Sequence, residues 1–134
     1  MENIKRIVSF EDLEVYRNTY RGMLIVMEKI VPNLPSNERF DLMDQIRRAT
    51  KAIPRLIAEG YAKRHQKAGF QKYIDDAMAE CNENIVSLEQ CRDLYSKEVD
   101  VDICKKLISS YDISGRQVYK LSEAWSKFKK RDRF

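Results

Sequence analysis

The residues with the clearest chemical capacity in this 134-residue chain are cationic. Arg48, Lys51 and Arg55 follow one another at steps of three and four, so on a helix they share one face. Lys63, Arg64 and Lys67 continue the positive run, and Lys127, Lys129, Lys130 and Arg131 crowd the C-terminal stretch 127–134. A stripe of this kind neutralises phosphates and releases their counterions, which is the electrostatic part of RNA or DNA binding. The same pattern also describes a solvated helix face followed by a basic tail, because no base-reading motif accompanies the charge. A second polar group is Arg47, Arg48, Glu59 and Glu83. Read as chemistry it offers a carboxylate pair; read as architecture, the favoured reading, it is an ion network fixing helix register or subunit contacts. In an antiparallel hairpin turning near Gln66, Arg47 or Arg48 falls at the height of Glu83. Glu59 lies about 18 Å along the helix from Arg47 and needs a partner elsewhere.

Counting residues argues against catalysis. The single histidine, His65, sits in the basic run Ala62-Lys63-Arg64-His65-Gln66-Lys67 with no adjacent carboxylate to orient an imidazole. A di-metal bundle needs Glu-x-x-His on two helices, and the nearest pattern is Glu80-x-x-Glu83. The glycines Gly22, Gly60, Gly69 and Gly115 are isolated, so no glycine-rich loop cradles a phosphate. Cys81, Cys91 and Cys104 form no Cys-x-x-Cys pair and read as ordinary buried thiols. The expectation is a non-enzymatic protein with no catalytic residue, metal or cofactor.

These side chains must be positioned by helices, because apolar spacing is helical nearly everywhere. The first segment, about 10–31, carries Leu13, Tyr16, Tyr20, Leu24, Met27 and Val31 on one face, with Ser9 as N-cap and Pro32-Asn33-Leu34-Pro35 as the stop. The second, about 37–64, starts after Ser36 and carries Phe40, Met43, Ile46, Ala49, Thr50, Ile53, Ile57 and Tyr61. Pro54 falls inside that pattern, which stays in phase across it, so a kinked single helix is expected rather than two helices. The third, about 67–97, presents Phe70, Ile74, Ala77, Cys81, Ile85, Leu88, Cys91 and Tyr95. The fourth, about 101–129 after an Asp100 cap, repeats Cys104, Tyr111, Val118 and Trp125 every seven residues, with Leu107, Ser114, Leu121 and Phe128 as a second seam. Four long helices with short connections predict one all-α domain over residues 1–134, an antiparallel up-down-up-down four-helix bundle.

With 43% apolar and 34% charged residues the chain is neither disordered nor a loop-rich scaffold. The longest apolar run, Met23-Leu24-Ile25-Val26-Met27, is too short to span a bilayer, and the N-terminus has no apolar signal core, so a cytoplasmic protein without membrane partners is expected. The net charge of +4 conceals strong segregation. Residues 1–38 carry −1, 39–72 carry +6, 73–115 carry −6 and 116–134 carry +5. Opposite charge on the second and third helices also fits a purely protein-binding module, in which one chain's basic helix meets the acidic helix of a neighbour.

The stretch Gln45-Ile46-Arg47-Arg48-Ala49-Thr50-Lys51-Ala52-Ile53-Pro54-Arg55-Leu56-Ile57-Ala58-Glu59-Gly60 resembles the signature of the four helix bundle proteins, also called 23S ribosomal RNA intervening-sequence proteins. Ser9-Phe10-Glu11-Asp12-Leu13-Glu14-Val15-Tyr16, with Phe70, Tyr73, Ala77 and Glu83, supports the resemblance over roughly residues 8–95. Ala52, Arg55 and Leu56 depart from the small polar residues usual there, and Ala79-Glu80 stands where a Gly-Ser pair is usual. The resemblance implies a homo-oligomer, commonly a pentameric barrel of bundles, with no known catalytic activity. A related branch, the accessory variability protein of diversity-generating retroelements, is a basic pentamer that binds nucleic acid and a reverse transcriptase. The added cations Lys51 and Arg55 move this chain toward that behaviour. The resemblance therefore implies RNA or DNA, further copies of the chain and a reverse transcriptase as partners.

Overall fold

In a computed structural model, residues 6–66 and 69–131 are described, with side chains described as far as residue 127. Four main helices carry the chain: α1 (Glu14–Ile25), α2 (Leu42–Ala62), α3 (Gln71–Leu94) and α4 (Val101–Arg131), with no strand among the described residues. Extensive packing joins α2 to α3 and α3 to α4, while α1 closes the set against both α2 and α4. None of the described helices is long and apolar enough to cross a membrane.

The fourth helix follows its heptad. Cys104, Leu107, Tyr111, Ser114, Val118 and Trp125 are all buried, while Leu121 is half-buried. Its start is set by Asp100, whose Oδ1 accepts the Asp102 N–H at 2.9 Å and the Ile103 N–H at 3.2 Å. That side chain satisfies two backbone donors the first turn leaves open. On α3 the expected face is buried at Ile74, Ala77, Cys81, Leu88 and Cys91 and half-buried at Ile85. Asn84 and Ser87 join it as buried polar residues. The helix itself is shorter than the expected 67–97.

On α2 the structure decides for one helix, which runs unbroken through the buried Pro54. Proline has no amide to reach the Thr50 carbonyl, so the segment depends on its packed face of Ile46, Ile53 and Ile57, each fully buried. Burying a side chain of that size contributes about 1.5–3 kcal/mol. The expected start after Ser36 is corrected. Ser36–Glu38 is a separate 3-10 turn, and α2 opens at Leu42, whose N–H is accepted by Glu38 Oε1 at 3.3 Å. The intervening turn resets the helical phase and leaves Phe40 87% exposed instead of in the core. Glu38 also accepts the Tyr95 hydroxyl, tying the start of α2 to the end of α3. That bond pushes the Tyr95 phenol up to about 12.

The first segment differs most from expectation. Phe10–Asp12 is a 3-10 turn, in which Asp12 Oδ2 accepts the Ser9 N–H at 3.1 Å. Leu13 is extended, and α1 begins only at Glu14. It passes through a π-helical turn at Val26–Ile30 and stops in a 3-10 turn at Val31–Asn33, where Pro32 stands. Its buried stripe is Val15, Thr19, Gly22, Val26 and Ile30. Of the expected face, Leu13 and Val31 are buried and Tyr16 and Met27 are half-buried against the core, but Tyr20 is 44% and Leu24 42% exposed. Gly22 sets this choice because it lets α1 approach α4 closely. A Cβ built on Gly22 would lie 2.9 Å from the Tyr111 hydroxyl. Tyr111 is itself 1% exposed and shares a hydrogen bond with Thr50 Oγ1 at 2.8 Å, so its ring cannot retreat.

All three cysteines are free and buried, as their spacing suggests. Burial pushes the thiols of Cys81 and Cys91 from the ordinary 9.0 up to about 12. Burial likewise raises the Tyr111 phenol from 10.0 to about 12. Each group holds its proton more tightly in the folded chain than in the unfolded one. Their stabilising effect is therefore full below about pH 9 and is lost as pH rises toward about 12. Urea unfolding at pH 8 and at pH 10.5 is expected to show a clear fall in stability, smaller in Cys81→Ala/Cys91→Ala relative to that variant's own pH 8 value. Equal falls in the two proteins would refute the assignment to the thiols.

Candidate functional site

The outward face of α2 is built by the same periodicity that buries Ile46, Ala49, Ile53 and Ile57. Residues one or two positions away from these, Arg47, Arg48, Lys51, Arg55 and Glu59, are exposed. Arg48 is engaged locally, its Nε 3.3 Å from Asp44 Oδ2 on the preceding turn. Lys51 and Arg55 make no ion pair with any described residue, so these two cations stand one turn apart and free for an anion. On one side of the stripe lies α3, whose carboxylates border it. Arg55 shares a groove of about 530 Å³ with Glu59, Asp76 and Glu80. Burial and the neighbouring Glu83 raise the Glu80 carboxyl above its usual range, against the opposing pull of Arg48.

The expected ion network does not form within this chain. Arg48 takes the nearer Asp44, and Arg47, Glu59 and Glu83 are exposed with no salt bridge to a described residue. The physical reason is local. A partner one turn away on the same helix holds the guanidinium with little loss of side-chain freedom, whereas Glu83 would need a reach across the α2–α3 groove.

The remaining basic residues separate from the stripe. Lys63 lies 5.5 Å over the Tyr73 ring. Arg64 stacks 3.7 Å from the Tyr61 ring centroid and donates to the Tyr61 carbonyl at 2.7 Å. Trp125, packed edge-on against Phe70 and Tyr61 at 5.5 and 6.3 Å, brings the end of α4 against this same turn. Exposed Lys127 therefore belongs with Lys63 and Arg64 at one end of the molecule, apart from Lys51 and Arg55 on its flank. Lys67 lies outside the described residues, as do the side chains of Lys129, Lys130 and Arg131. His65 is exposed in the α2–α3 turn. Among the described residues no group of three His, Cys, Asp or Glu side chains could hold a metal ion.

Sequence reasoning missed Arg17 and Arg21. Both are exposed on α1 beside the surface tyrosines and line a groove of about 450 Å³ with Tyr16 and Tyr20. Their four-residue spacing was visible, but the acidic residues around them bring the block 1–38 to −1 and conceal it.

No curated protein and no solved structure matches the chain. The family model described as 23S rRNA-intervening sequence protein matches residues 11–120, a span that takes in α1, α2, α3 and most of α4. The resemblance first read from Arg47-Arg48-Ala49, Ile53-Pro54 and Ile57-Ala58-Glu59-Gly60 thus extends well into the fourth helix, and the chain belongs to the 23S rRNA-intervening sequence protein family.

Proposed function

We propose that the chain is a non-enzymatic scaffold, an up-down-up-down bundle that assembles with copies of itself into a ring, most simply a pentamer, and binds RNA or DNA through the α2 face. The observation that carries this reading is the pair Lys51 and Arg55, exposed, one turn apart and in no salt bridge with a described residue. Two phosphate contacts on one chain give weak binding. A closed ring repeats them at fixed spacing, so that once one site is occupied the others are engaged at high effective concentration. The likeness to the accessory variability protein makes a reverse transcriptase the protein partner to examine first.

Light scattering across a salt series, with and without mixed RNA and DNA oligonucleotides, tests the reading. The expected result is a mass of about five chains that persists at all salt concentrations. Bound nucleic acid should be present at about 50 mM salt and largely lost by a few hundred millimolar. A monomer that binds nothing refutes both parts. An assembly that dissolves at high salt and takes up no nucleic acid supports the competing reading, in which the acidic α3 of one chain pairs with the basic α2 of the next.

A further inference from the structure

Two tyrosines of α1, the half-buried Tyr16 and the exposed Tyr20, lie directly beside the basic stripe. Phe10 and Tyr16 meet edge-to-face at 4.9 Å, and Tyr16 and Tyr20 follow at 5.9 Å with ring planes 37° apart. Tyr20, at the end of this ladder, is 44% exposed. Lys51 and Arg55 line a groove of about 420 Å³ on one side of Tyr16 and Tyr20. Arg17 and Arg21 line the groove on the other side, together with Glu11. Arg17 donates to the Glu11 carbonyl at 3.1 Å and Arg21 to Asn18 Oδ1 at 2.6 Å. None of the four cations has a described carboxylate within salt-bridge distance.

We propose that this cleft between α1 and α2 binds single-stranded nucleic acid, with an unpaired base stacked on Tyr20 and the flanking phosphates held by Lys51 and Arg55 on one side and Arg17 and Arg21 on the other. The inference rests on the α2 face being a nucleic-acid surface, and it names the form of ligand. A duplex offers phosphates but keeps its base faces covered, so it uses the cations and not the ring. An unpaired strand uses both, since every base has a face to stack and stacking tolerates any sequence. The charge around the tyrosines selects this occupant over an apolar partner helix, which would cover four cations that make no salt bridge with a described residue.

Fluorescence anisotropy of the intact protein with a labelled single-stranded 12-nucleotide oligomer, and with the same sequence as a duplex, tests the proposal. Tyr20→Ala is expected to weaken single-strand binding about tenfold or more, with the slope against log salt unchanged. Tyr20→Phe should bind as the parent does, and duplex binding should be the same in all three proteins. Arg17→Ala with Arg21→Ala should weaken both ligands and lower the salt slope. If Tyr20→Ala leaves single-strand binding unchanged, or weakens the duplex equally, the stacking site is overturned while the basic-face reading stands. Loss of assembled mass on scattering of Tyr20→Ala assigns the face to a second copy and also overturns it. If Lys51→Glu with Arg55→Glu binds both ligands as the parent does, the underlying reading fails first.

Discussion

Tyr111→Ala is expected to destabilise the chain by about 3–5 kcal/mol, the range for emptying a buried aromatic site. Tyr111 is 1% exposed on α4, and its position joins the other helices. Its hydroxyl meets Thr50 Oγ1 of α2 at 2.8 Å and lies where a Cβ on Gly22 of α1 would come within 2.9 Å. The fully buried Asn84 of α3 lies at the same polar centre, and among the described residues neither of its amide atoms has a hydrogen-bond partner. A domain of this size has about 5–15 kcal/mol in total, so the alanine variant should melt far below the parent. Tyr111→Phe keeps the ring and removes only the hydroxyl, leaving Thr50 without its partner, at a cost of about 1–2 kcal/mol. Urea unfolding of the three proteins checks the order. A Tyr111→Ala variant no less stable than Tyr111→Phe would show that the ring is not what fills this centre. The same geometry predicts coupling: Gly22→Ala should be tolerated better in Tyr111→Phe than in the parent, because the atom its methyl group strikes is gone.

Charge reversal of the α2 face, Lys51→Glu with Arg55→Glu, is expected to abolish nucleic-acid binding with helicity and assembled mass unchanged. Each phosphate contact to a single strand contributes about 0.7 to the log-log salt slope. Removing two of them per chain weakens binding about 25-fold per site at 0.1 M salt, before the repulsion of the new carboxylates is added. In a ring the losses multiply across the chains that touch one strand. The fold should not suffer, since both side chains are exposed and neither is in an ion pair with a described residue. Binding that survives the double reversal at 0.1 M salt would remove the α2 face from the function. Loss of assembled mass would instead make that face a subunit contact, the arrangement in which it meets the acidic α3 of a neighbour.

Much of the architecture was open to reading because helical periodicity is local. The seven-residue repeat through Cys104, Tyr111, Val118 and Trp125, the Asp100 cap and the buried thiols each depend on residues within a turn or two. Pro54 could be judged the same way, since an apolar stripe in phase on both sides implies a single helix. The family was legible for the same reason, as a contiguous run on α2. The exposed cations of that run were identified, but their partners were not. Glu83 was the expected partner of Arg48, and only the structure shows Asp44 at 3.3 Å and Glu83 left in solvent.

The first helix marks the boundary between the two kinds of information. Its sequence carries two stripes of helical period, one of Tyr16, Tyr20, Leu24 and Met27 and one of Val15, Thr19, Gly22 and Val26. The larger side chains lie on the first, yet the second is buried. Sequence by itself determined that this segment is an amphipathic helix stopped by Pro32, that α2 is basic outside and apolar inside, and which family the chain resembles. Only the tertiary structure decided which stripe of α1 turns inward, because that choice depends on the shape of the surface it meets. The Tyr111 ring, 89 residues away, admits a helix there only where its side chains are small. The same contact leaves Tyr20 exposed, with half-buried Tyr16, beside Lys51 and Arg55, so the aromatic and basic halves of the cleft come together through packing that no local pattern encodes.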